Sequence, residues 1–305
     1  MKYDVYMMGT VAIEHESVDY DPALVGKVRR FIGGAVFFSS YSAISSGRRV
    51  GALVRTAPED KWILDPFYIR DLTILPSRKT TSTNLVYHTR DKETRTSQFL
   101  ATADPITPED IPQGVEADIF QMAGSFLGEF DNRLFAHLAS RGKVACDMQG
   151  FVRYARGTDL VYGDWAEKEQ YLPYVTFLKA DAAEAAVLTG TQDRKEAARM
   201  MHAWGAKEIM ITHNTEVLVF DGKTFYTCPL RPRSLEGRSG RGDTTFASYI
   251  TERTHVSVPQ ALLYASALVS LKMERPGPFK GTRQDVADFM AERYADPCVH
   301  SEDAI

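Results

Sequence analysis

Cysteine is scarce in this sequence of 305 residues, which contains only Cys146, Cys228 and Cys298. The three are widely spaced, form no Cys-x-x-Cys pair and cannot make an even-numbered disulfide framework. No His-Glu-x-x-His motif is present either, so the sequence offers no familiar zinc site. Free cysteines suit a reducing compartment, and the first nine residues lack the apolar core of a signal peptide. We therefore expect a cytoplasmic protein.

Long hydrophobic runs and an excess of basic residues are also missing. The longest apolar run, near residues 261–271, is too short to span a bilayer. Lysine and arginine number 36 against 40 aspartates and glutamates, which gives a net charge of −4. A chain without a basic excess has little attraction for the phosphate backbone of nucleic acid. We expect neither a membrane nor nucleic acid as a partner.

Short apolar segments alternate with helix-like segments along most of the chain. The strand-like segments include 4–8, 51–55, 118–122, 144–147 and 208–212, and the helix-like ones 35–45, 182–188, 194–204 and 244–253. This alternation predicts an α/β fold with a mainly parallel sheet covered by helices on both faces. The helix pattern over 258–273 is apolar nearly all round, so we expect it to be buried. The length suits one domain over residues 1–305.

Two segments, 81–88 and 94–100, interrupt this alternation. Both are rich in β-forming residues, and they flank a polar turn, Thr89–Glu93, which is typical of a β-hairpin. Residues 12–18 also have a strand-like pattern. We therefore predict a small β appendage formed by about residues 11–20 and 80–101.

The segment Gly240-Arg241-Gly242-Asp243-Thr244 carries the clearest chemical signal. Its glycines permit a tight turn at the start of a predicted helix, where unpaired N–H groups attract anions. Asp243 could accept a proton from a substrate hydroxyl, and phosphoryl transfer to an alcohol requires such a base beside an anion site. Two alternatives are open. One is an aspartate N-cap without a catalytic role; the other is an Arg-Gly-Asp adhesion tripeptide, which nothing else in the sequence supports.

The predicted site lies where several strands end. Ligands of parallel α/β sheets bind beyond the carboxyl ends of the strands. We expect the ends at Gly9, Asp147 and Lys179 to meet the 240–244 loop there. No Gly-x-x-x-x-Gly-Lys-Ser/Thr motif is present, so a P-loop nucleotide site is not expected.

These motifs, in this order, resemble those of the ribokinase-like (PfkB-type) carbohydrate kinase family over nearly the whole chain. Gly33-Gly34 before a helix of small residues resembles the N-terminal signature, and 240–244 resembles the C-terminal Gly-Ala-Gly-Asp-Thr signature. The segment 179–184 with Leu188-Thr189-Gly190 resembles the family's Asn-x-x-Glu motif and the Leu-Thr-Gly after it. The predicted hairpin matches the family's lid.

A finer likeness is to the myo-inositol kinase branch of that family. It rests on the segment 147–153, Asp-Met-Gln-Gly-Phe-Val-Arg, and on Gly33-Gly34-Ala35 with two aromatic residues shortly after it. Ala180-Asp181 ahead of Glu184 is the third element of this likeness. Inositol, or a related cyclitol or sugar, is therefore the predicted substrate.

The resemblance implies phosphorylation of a hydroxyl group, with ATP as donor and Mg²⁺ as cofactor. Asp243 would be the catalytic base, and the amides of Gly240, Arg241 and Gly242 would form the anion hole. Glu184, with Asp181, would hold Mg²⁺ through water, since Mg²⁺ commonly keeps several water ligands. Catalysis would depend mainly on positioning the reacting groups and on stabilising the charge of the transferred phosphoryl group. The lid often pairs between subunits in this family, so a homodimer is implied as well.

The predicted substrate-binding residues each have a structural alternative. Gly33 and Gly34 would let a polyol approach the backbone, or would only relieve crowding between strand and helix. Glu14 would bind substrate, or is an exposed strand carboxylate. Gln149 and Arg153 would contact substrate, although Arg153 could instead form a surface ion pair.

The predicted nucleotide-binding residues are Asp181, Thr212, Asn214 and Gly240. Asp181 could equally be an N-cap of the following helix. Asn214 stands where the family has a glycine that contacts nucleotide, and asparagine tolerates a left-handed backbone better than most residues.

Further departures from the family pattern bear on the site, and one of them is Asp181, which replaces asparagine. Arg241 replaces the small residue between the two glycines and would either reach a phosphate or block one. Val217 replaces a glycine of the turn on the nucleotide side. Gly237-Arg238-Ser239 stands where Asp-Thr-Thr often contributes to a monovalent-cation site, so potassium activation is not expected.

Two alternative functions remain at this stage. Within the same class, the substrate could be a nucleoside. From another class, the chain could be a non-catalytic sensor that binds a sugar or nucleotide with the same fold. Asp243 speaks against the sensor, because a pure binding module needs no base at that position.

Overall fold

The computed structural model describes residues 2–89, 95–295 and 298–304. Its strands are β1 Lys2–Gly9, β2 Ala12–Val18, β3 Arg29–Gly33, β4 Val50–Thr56, β5 Asp71–Pro76, β6 Thr81–Tyr87, β7 Arg95–Ala101, β8 Glu116–Ala123, β9 Lys143–Asp147, β10 Arg153–Arg156, β11 Asp159–Tyr162, β12 Phe177–Asp181, β13 Glu208–Thr212, β14 Glu216–Phe220, β15 Thr224–Pro229 and β16 His300–Asp303. Its α-helices are α1 Ala35–Ser45, α2 Arg133–Ala139, α3 Gln149–Val152, α4 Lys168–Tyr171, α5 Ala182–Thr189, α6 Arg194–Ala203, α7 Arg241–Arg253, α8 Val258–Met273 and α9 Arg283–Arg293.

A large sheet forms the centre of the fold. Its strand order is β16-β15-β14-β13-β12-β9-β8-β1-β4-β5. The pairs from β13 to β5 are parallel, and β14 to β16 are added antiparallel at one edge. Strands such as β13 are buried along their whole length, as a parallel sheet covered on both faces requires. The predicted mainly parallel sheet is confirmed.

Helices cover both faces of the large sheet. One apolar cluster contains residues of α1, α7, α8 and α9, and a second contains residues of α2, α5 and α6. The α8 helix packs against α7 and against β14 and β15, and most of its residues are buried, as its apolar pattern predicts. Within the described part of the chain, none of the helices combines the length and the apolarity that crossing a membrane would take.

A second, small sheet has the order β10-β11-β7-β6-β2-β3. It contains the predicted strand over 12–18 and the predicted hairpin, since β6 pairs antiparallel with β7 and parallel with β2. Most of the predicted polar turn, residues 90–93, and Thr94 of the predicted second strand lie outside the described residues. Three further strands, β3, β10 and β11, join the sheet without having been predicted; they are only four or five residues long and carry several charged side chains.

The buried carboxylate of Glu129 connects the two sheets. It accepts hydrogen bonds from Thr10 after β1 (2.7 Å) and from Thr81 at the start of β6 (3.1 Å). The amides of Ser125 and Phe126 donate to it as well, at 2.6 and 3.1 Å. Burial raises the pKa of Glu129, although these four bonds favour its ionised form. The small sheet is thereby fixed beside the carboxyl ends of the parallel strands.

Candidate active site

A cleft of about 370 Å³ lies between the small sheet and the carboxyl ends of β12 and β13. All of the predicted site residues except Gly33 line it: Glu14, Gly34, Gln149, Arg153, Asp181, Glu184, Thr212, Asn214, Gly240, Arg241, Gly242 and Asp243. The sequence motifs, which are more than 200 residues apart along the chain, are therefore brought together in one place. The roles predicted for these residues remain predictions.

Gly33 lies immediately behind the cleft wall. A Cβ atom there would overlap the side chain of Glu14 on the neighbouring strand β2, two residues along from Ala12, the register partner of Gly33. The next residue, Gly34, lines the cleft with a positive φ of 94° and caps the N-terminus of α1. Gly33 therefore makes room for the Glu14 side chain, and Gly34 supplies a left-handed backbone that favours glycine.

The helix α7 begins at the cleft with Gly240 as its N-cap residue, at a φ of 72°. A side chain on Gly240 would overlap the ring of Phe38, so only glycine fits. Asp243 is the third residue of the helix and not its cap, and the N-cap interpretation of this aspartate is therefore wrong. Its carboxyl group lies in the first turn, where the helix dipole favours negative charge.

Some of the main-chain amides in this first turn are free of main-chain acceptors among the described residues and so can donate to an anion. The Arg241 amide donates to the carbonyl oxygen of Arg238 at 3.2 Å, so it is already paired. Within the described residues, the amides of Gly242 and Asp243 have no main-chain acceptor, as expected at a helix start. The predicted anion hole of Gly240, Arg241 and Gly242 stays a prediction, with the Arg241 amide paired and the Gly242 amide without a main-chain acceptor among the described residues.

A buried lysine lies beneath the helix start. A Cβ atom on Gly242 would be 3.2 Å from the Nζ atom of Lys179, so the ammonium group is directly under the glycine. Lys179 Nζ donates to Asp147 at 3.0 Å and contacts Glu184 at 3.4 Å. The first pair follows from the sheet register, because Lys179 and Asp147 are partners in the parallel β12–β9 pair.

The titration of this cluster reflects its burial. Burial raises the pKa of Asp147 to about 6 and that of Glu184 to about 7, and the charge of Lys179 opposes both shifts. Burial by itself would lower the pKa of Lys179, but the carboxylates around it outweigh burial and raise it. The pKa of Asp243 is raised by burial, against the attraction of Lys179. A carboxylate with a raised pKa is a stronger base near neutral pH.

Asp181 at the end of β12 and Glu184 in α5 are the two carboxylates that are predicted to hold Mg²⁺. Asp181 caps the helix by accepting from the Glu184 amide (2.8 Å), and Glu184 accepts from the Asp181 amide (2.7 Å). Both line the cleft, and no cluster of three or more metal-ligating side chains occurs among residues 2–89, 95–295 and 298–304. Two carboxylates with further oxygens from water and donor phosphate fit Mg²⁺, which keeps several waters.

The small sheet supplies the opposite wall of the cleft. Besides Glu14, its contributions include Thr83, Ser97 and Tyr162. The guanidinium carbon of Arg153 lies 4.9 Å from the centroid of the Phe126 ring, and the buried Nε atom of Arg153 has no hydrogen-bond partner among the described residues. This wall offers hydroxyl, carboxylate and guanidinium groups, which suit a ligand with several hydroxyl groups.

The predicted nucleotide side of the cleft carries a bond between two of the unusual residues. Arg241 Nη1 donates to Asn214 Oδ1 at 2.9 Å, and both side chains line the cleft. Burial lowers the pKa of Arg241. Arg238 lies on the same side. Two arginines close to the helix start add positive charge where phosphate groups of a donor would lie.

Several residues at the site were given no role by sequence reasoning, among them Phe38, Tyr162 and Lys179 in the cleft lining and Lys272 beside the loop before α7. Lys179 stands inside an apolar strand pattern, and a buried charged residue there was itself a signal. Lys272 likewise stands near the end of an almost entirely apolar helix. Phe38 and Tyr162 gave no signal, because aromatic residues are common in ordinary cores.

Comparison with known proteins shows the family of the chain. The family model described as pfkB family carbohydrate kinase matches residues 71–283. A solved pyrophosphate-dependent kinase in the ribokinase family, complexed with a pyrophosphate analog and myo-inositol, is 33% identical. That match covers 93% of this chain and 99% of the other, with a TM-score of 0.81. The predicted family and the predicted ribokinase-like fold are confirmed.

Two further relatives are more distant. A cytidine kinase from Thermococcus kodakarensis is 26% identical over 255 residues, which cover 80% of this chain and 88% of that protein. The ribokinase of Arabidopsis thaliana, solved with ribose and ATP, is 13% identical with a TM-score of 0.75, and it covers 95% of this chain and 99% of its own. The second likeness shows the fold alone.

Proposed function

Because the chain belongs to the pfkB family of carbohydrate kinases, we propose that it transfers a phosphoryl group to a hydroxyl of a small cyclitol or sugar. One observation carries the proposal. Asp243 and the open amides of Gly242 and Asp243 lie at one helix start, in the cleft, with the Lys179 ammonium beneath them. A base, an anion site and a fixed positive charge are the parts that this reaction needs.

Each residue would then have a distinct part in the transfer. Asp243 accepts the proton of the attacking hydroxyl as the new oxygen–phosphorus bond forms, while the bond from that phosphorus to the bridging oxygen of the donor breaks and ADP or orthophosphate leaves. The helix amides hold the oxygens of the transferred group, and Lys179 adds to the positive potential there. Asp181 and Glu184 would hold Mg²⁺, which when bound neutralises charge on the donor phosphates.

A cyclitol is the acceptor that the small-sheet wall supports best. Glu14, Gln149 and Arg153 would bind hydroxyl groups, and Arg153 is the strongest candidate because its buried Nε atom lacks a hydrogen-bond partner in the part of the chain that the structure describes. The 33% identical kinase that was solved with myo-inositol supports this choice. A nucleoside is the second candidate, supported by the relative described as a cytidine kinase.

The donor has two candidates of different size. ATP is the donor predicted from the sequence. Inorganic pyrophosphate is the other, supported by the donor of the 33% identical kinase and by Arg238 and Arg241 beside the helix start. Both donors would present a phosphoryl group to the same amides. They differ only in the leaving group attached to it, which is ADP for ATP and orthophosphate for pyrophosphate.

Turnover assays test the proposal directly. Formation of ADP or orthophosphate is followed with Mg-ATP and with Mg-pyrophosphate, each against a panel of cyclitols, aldoses, ketoses, sugar acids and nucleosides. We expect turnover on cyclitols, abolished in Asp243→Asn. Turnover on nucleosides alone would replace the substrate class. Donor and sugar binding by calorimetry, with no turnover on any acceptor, would favour the non-catalytic sensor.

We also propose a homodimer that forms through the small sheet. Phe31 on β3 and Leu100 on β7 are two large apolar side chains of this sheet that leave 45% and 43% of their surface exposed. Covering them against a second copy would remove this surface from water. A monomer mass in light scattering at working concentration would refute the dimer.

A further inference from the structure

The loop that leads into the helix start is held by a second buried lysine. Lys272 lies near the end of α8 and is 2% exposed. Its Nζ atom donates to the main-chain oxygen of Gly237 at 2.6 Å and also to that of Ser239. These two carbonyls belong to the three residues immediately before Gly240.

Other contacts make the loop and the ammonium group one packed unit. The ring of Phe38 lies 5.2 Å from Lys272 Nζ, within reach of a cation–π interaction. The same ring packs against Gly240, where it leaves no room for a side chain. The Gly237 amide donates to the oxygen of Met273 at 2.8 Å, and a Cβ atom on Gly237 would overlap the main chain of Arg275.

The charges around Lys272 are few. Asp243 and Glu14 attract its ammonium group, Arg241 repels it, and burial has the largest effect, which lowers its pKa to about 8. None of the carboxylates forms an ion pair with it within the described residues. Two carbonyl oxygens and an aromatic face surround the charge, a set of groups that also suits a small monovalent cation.

We propose that the Lys272 ammonium group is a built-in cation that holds the Gly237–Ser239 loop in place and so positions the amides of α7. Lys272 is a positioning residue, because it acts on the reacting groups through the loop. The inference rests on the proposed function of the helix start as the anion site. It has a direct consequence: removing the side chain should leave a cavity that ammonium or potassium ions can fill, while the wild type responds to neither.

Three variants separate charge from packing. Lys272→Ala removes the charge and opens the cavity. Lys272→Met removes the charge but keeps a long side chain against Phe38, and Lys272→Arg keeps the charge. Lys280→Ala, which changes an exposed lysine nearby, is the matched control.

Hydrogen exchange of the segment 237–243, measured by mass spectrometry without ligand, needs no catalytic activity. In sodium chloride we expect exchange to be about tenfold faster in Lys272→Ala and Lys272→Met than in the wild type. In ammonium or potassium chloride of equal concentration, Lys272→Ala should regain protection and Lys272→Met should not. Lys272→Arg should retain most of the protection, and Lys280→Ala should match the wild type.

Two outcomes would overturn the proposal. One is wild-type protection in Lys272→Met, since the loop would then be held without the charge. The other is loosening of Lys272→Ala that neither ammonium nor potassium restores. If Lys272→Ala fails to fold, as judged by circular dichroism, Lys272→Met alone decides.

Turnover of the same variants keeps this inference separate from the proposed function. We expect kcat of Lys272→Ala to fall and to recover in ammonium chloride, with the KM for the acceptor almost unchanged. A wild type without any kinase activity would refute the proposed function, while the exchange pattern would still stand or fall by itself.

Discussion

The helix start at residues 240–243 lies between two buried lysines with opposite surroundings. Lys179, 3% exposed, lies below it among the carboxylates of Asp147 and Glu184. Lys272, 2% exposed, lies beside it against main-chain carbonyls and an aromatic ring. The first has a raised pKa and the second a lowered pKa. Equal burial therefore gives opposite results, because the neighbours decide whether the charge is compensated.

The two lysines illustrate two ways of placing positive charge near the proposed anion site. Lys179 belongs to a cluster in which each charge is held by others, so its removal leaves carboxylates buried without a counter-charge. The dipoles of the Gly237 and Ser239 carbonyl groups stabilise the ammonium group of Lys272, and that group in turn fixes the loop to which they belong. Asp243 feels the attraction of both lysines, which oppose the effect of burial on its pKa.

The largest effect is expected at the carboxylate that the two lysines share. Asp243→Asn keeps the shape of the side chain and removes its ability to accept a proton. We expect kcat to fall by about 10²–10⁴-fold, with donor affinity changed little, because general base catalysis is typically worth that much. Steady-state kinetics and calorimetry with the donor provide the test. A change of less than tenfold in kcat would refute Asp243 as the base.

The stability cost should differ between the two lysines. Lys179→Met leaves two buried carboxylates uncompensated and should lower the free energy of unfolding by about 3–5 kcal/mol. Lys272→Met leaves two carbonyls unsatisfied but also removes a poorly compensated charge, so we expect a cost of about 1–3 kcal/mol at most. Urea denaturation at pH 7 measures both.

A double variant is the control for that comparison. Adding Asp147→Asn to Lys179→Met removes one of the orphaned charges and should restore part of the lost stability. Equal costs for the two methionine variants would contradict the contrast between the clusters.

The pH dependence of stability should distinguish the lysines as well. The pKa of Lys272 is about 8 in the folded chain and about 10.5 in the unfolded chain, so the unfolded state binds more protons between these values. The free energy of unfolding of the wild type should then rise relative to Lys272→Met between pH 8 and 10.5, by up to about 3 kcal/mol. Lys179, with its raised pKa, stays charged across this window and should add no such rise. Denaturation curves at pH 7.5, 9 and 10 provide the measurement.

The smallest effect on stability is expected at the mouth of the cleft, beyond both lysines. Arg241→Ala removes the hydrogen bond to Asn214, which is partly exposed to solvent, and should change the free energy of unfolding by less than about 1 kcal/mol. If Arg241 binds the donor, the KM of Arg241→Ala for the donor should rise several-fold. If Arg241 obstructs the donor, that KM should fall. Kinetics with Mg-ATP and Mg-pyrophosphate decide between these, and Arg241→Lys tests whether charge alone suffices.

The two lysines also mark how far the sequence could be interpreted. Apolar periodicity was enough for most strands and the longer helices of the large sheet, since a buried strand and an amphipathic helix each leave a local pattern. It was not enough for the edge strands β5 and β16 of that sheet. The glycine and aspartate motifs were enough to predict which segments meet at the cleft. Lys179 was noted only as the end of a strand and Lys272 not at all, because their partners are distant in sequence or belong to the main chain.

The small sheet shows the same limit in its strands. The predicted hairpin was clear, since β6 and β7 are adjacent and rich in β-forming residues. The strands β3, β10 and β11 are short, and what makes them strands is pairing with segments far along the chain. The bond between the Arg241 amide and the carbonyl oxygen of Arg238 is a detail of loop geometry that no residue pattern encodes.

The order of strands in the small sheet has a consequence for how the chain folds. Its six strands come from three separate stretches, at 12–33, 81–101 and 153–162, and each stretch leaves and rejoins the large sheet. Closing such long loops is entropically costly until the parallel strands have brought their ends together. The small sheet is therefore expected to be the last part to fold, and under native conditions the first to open.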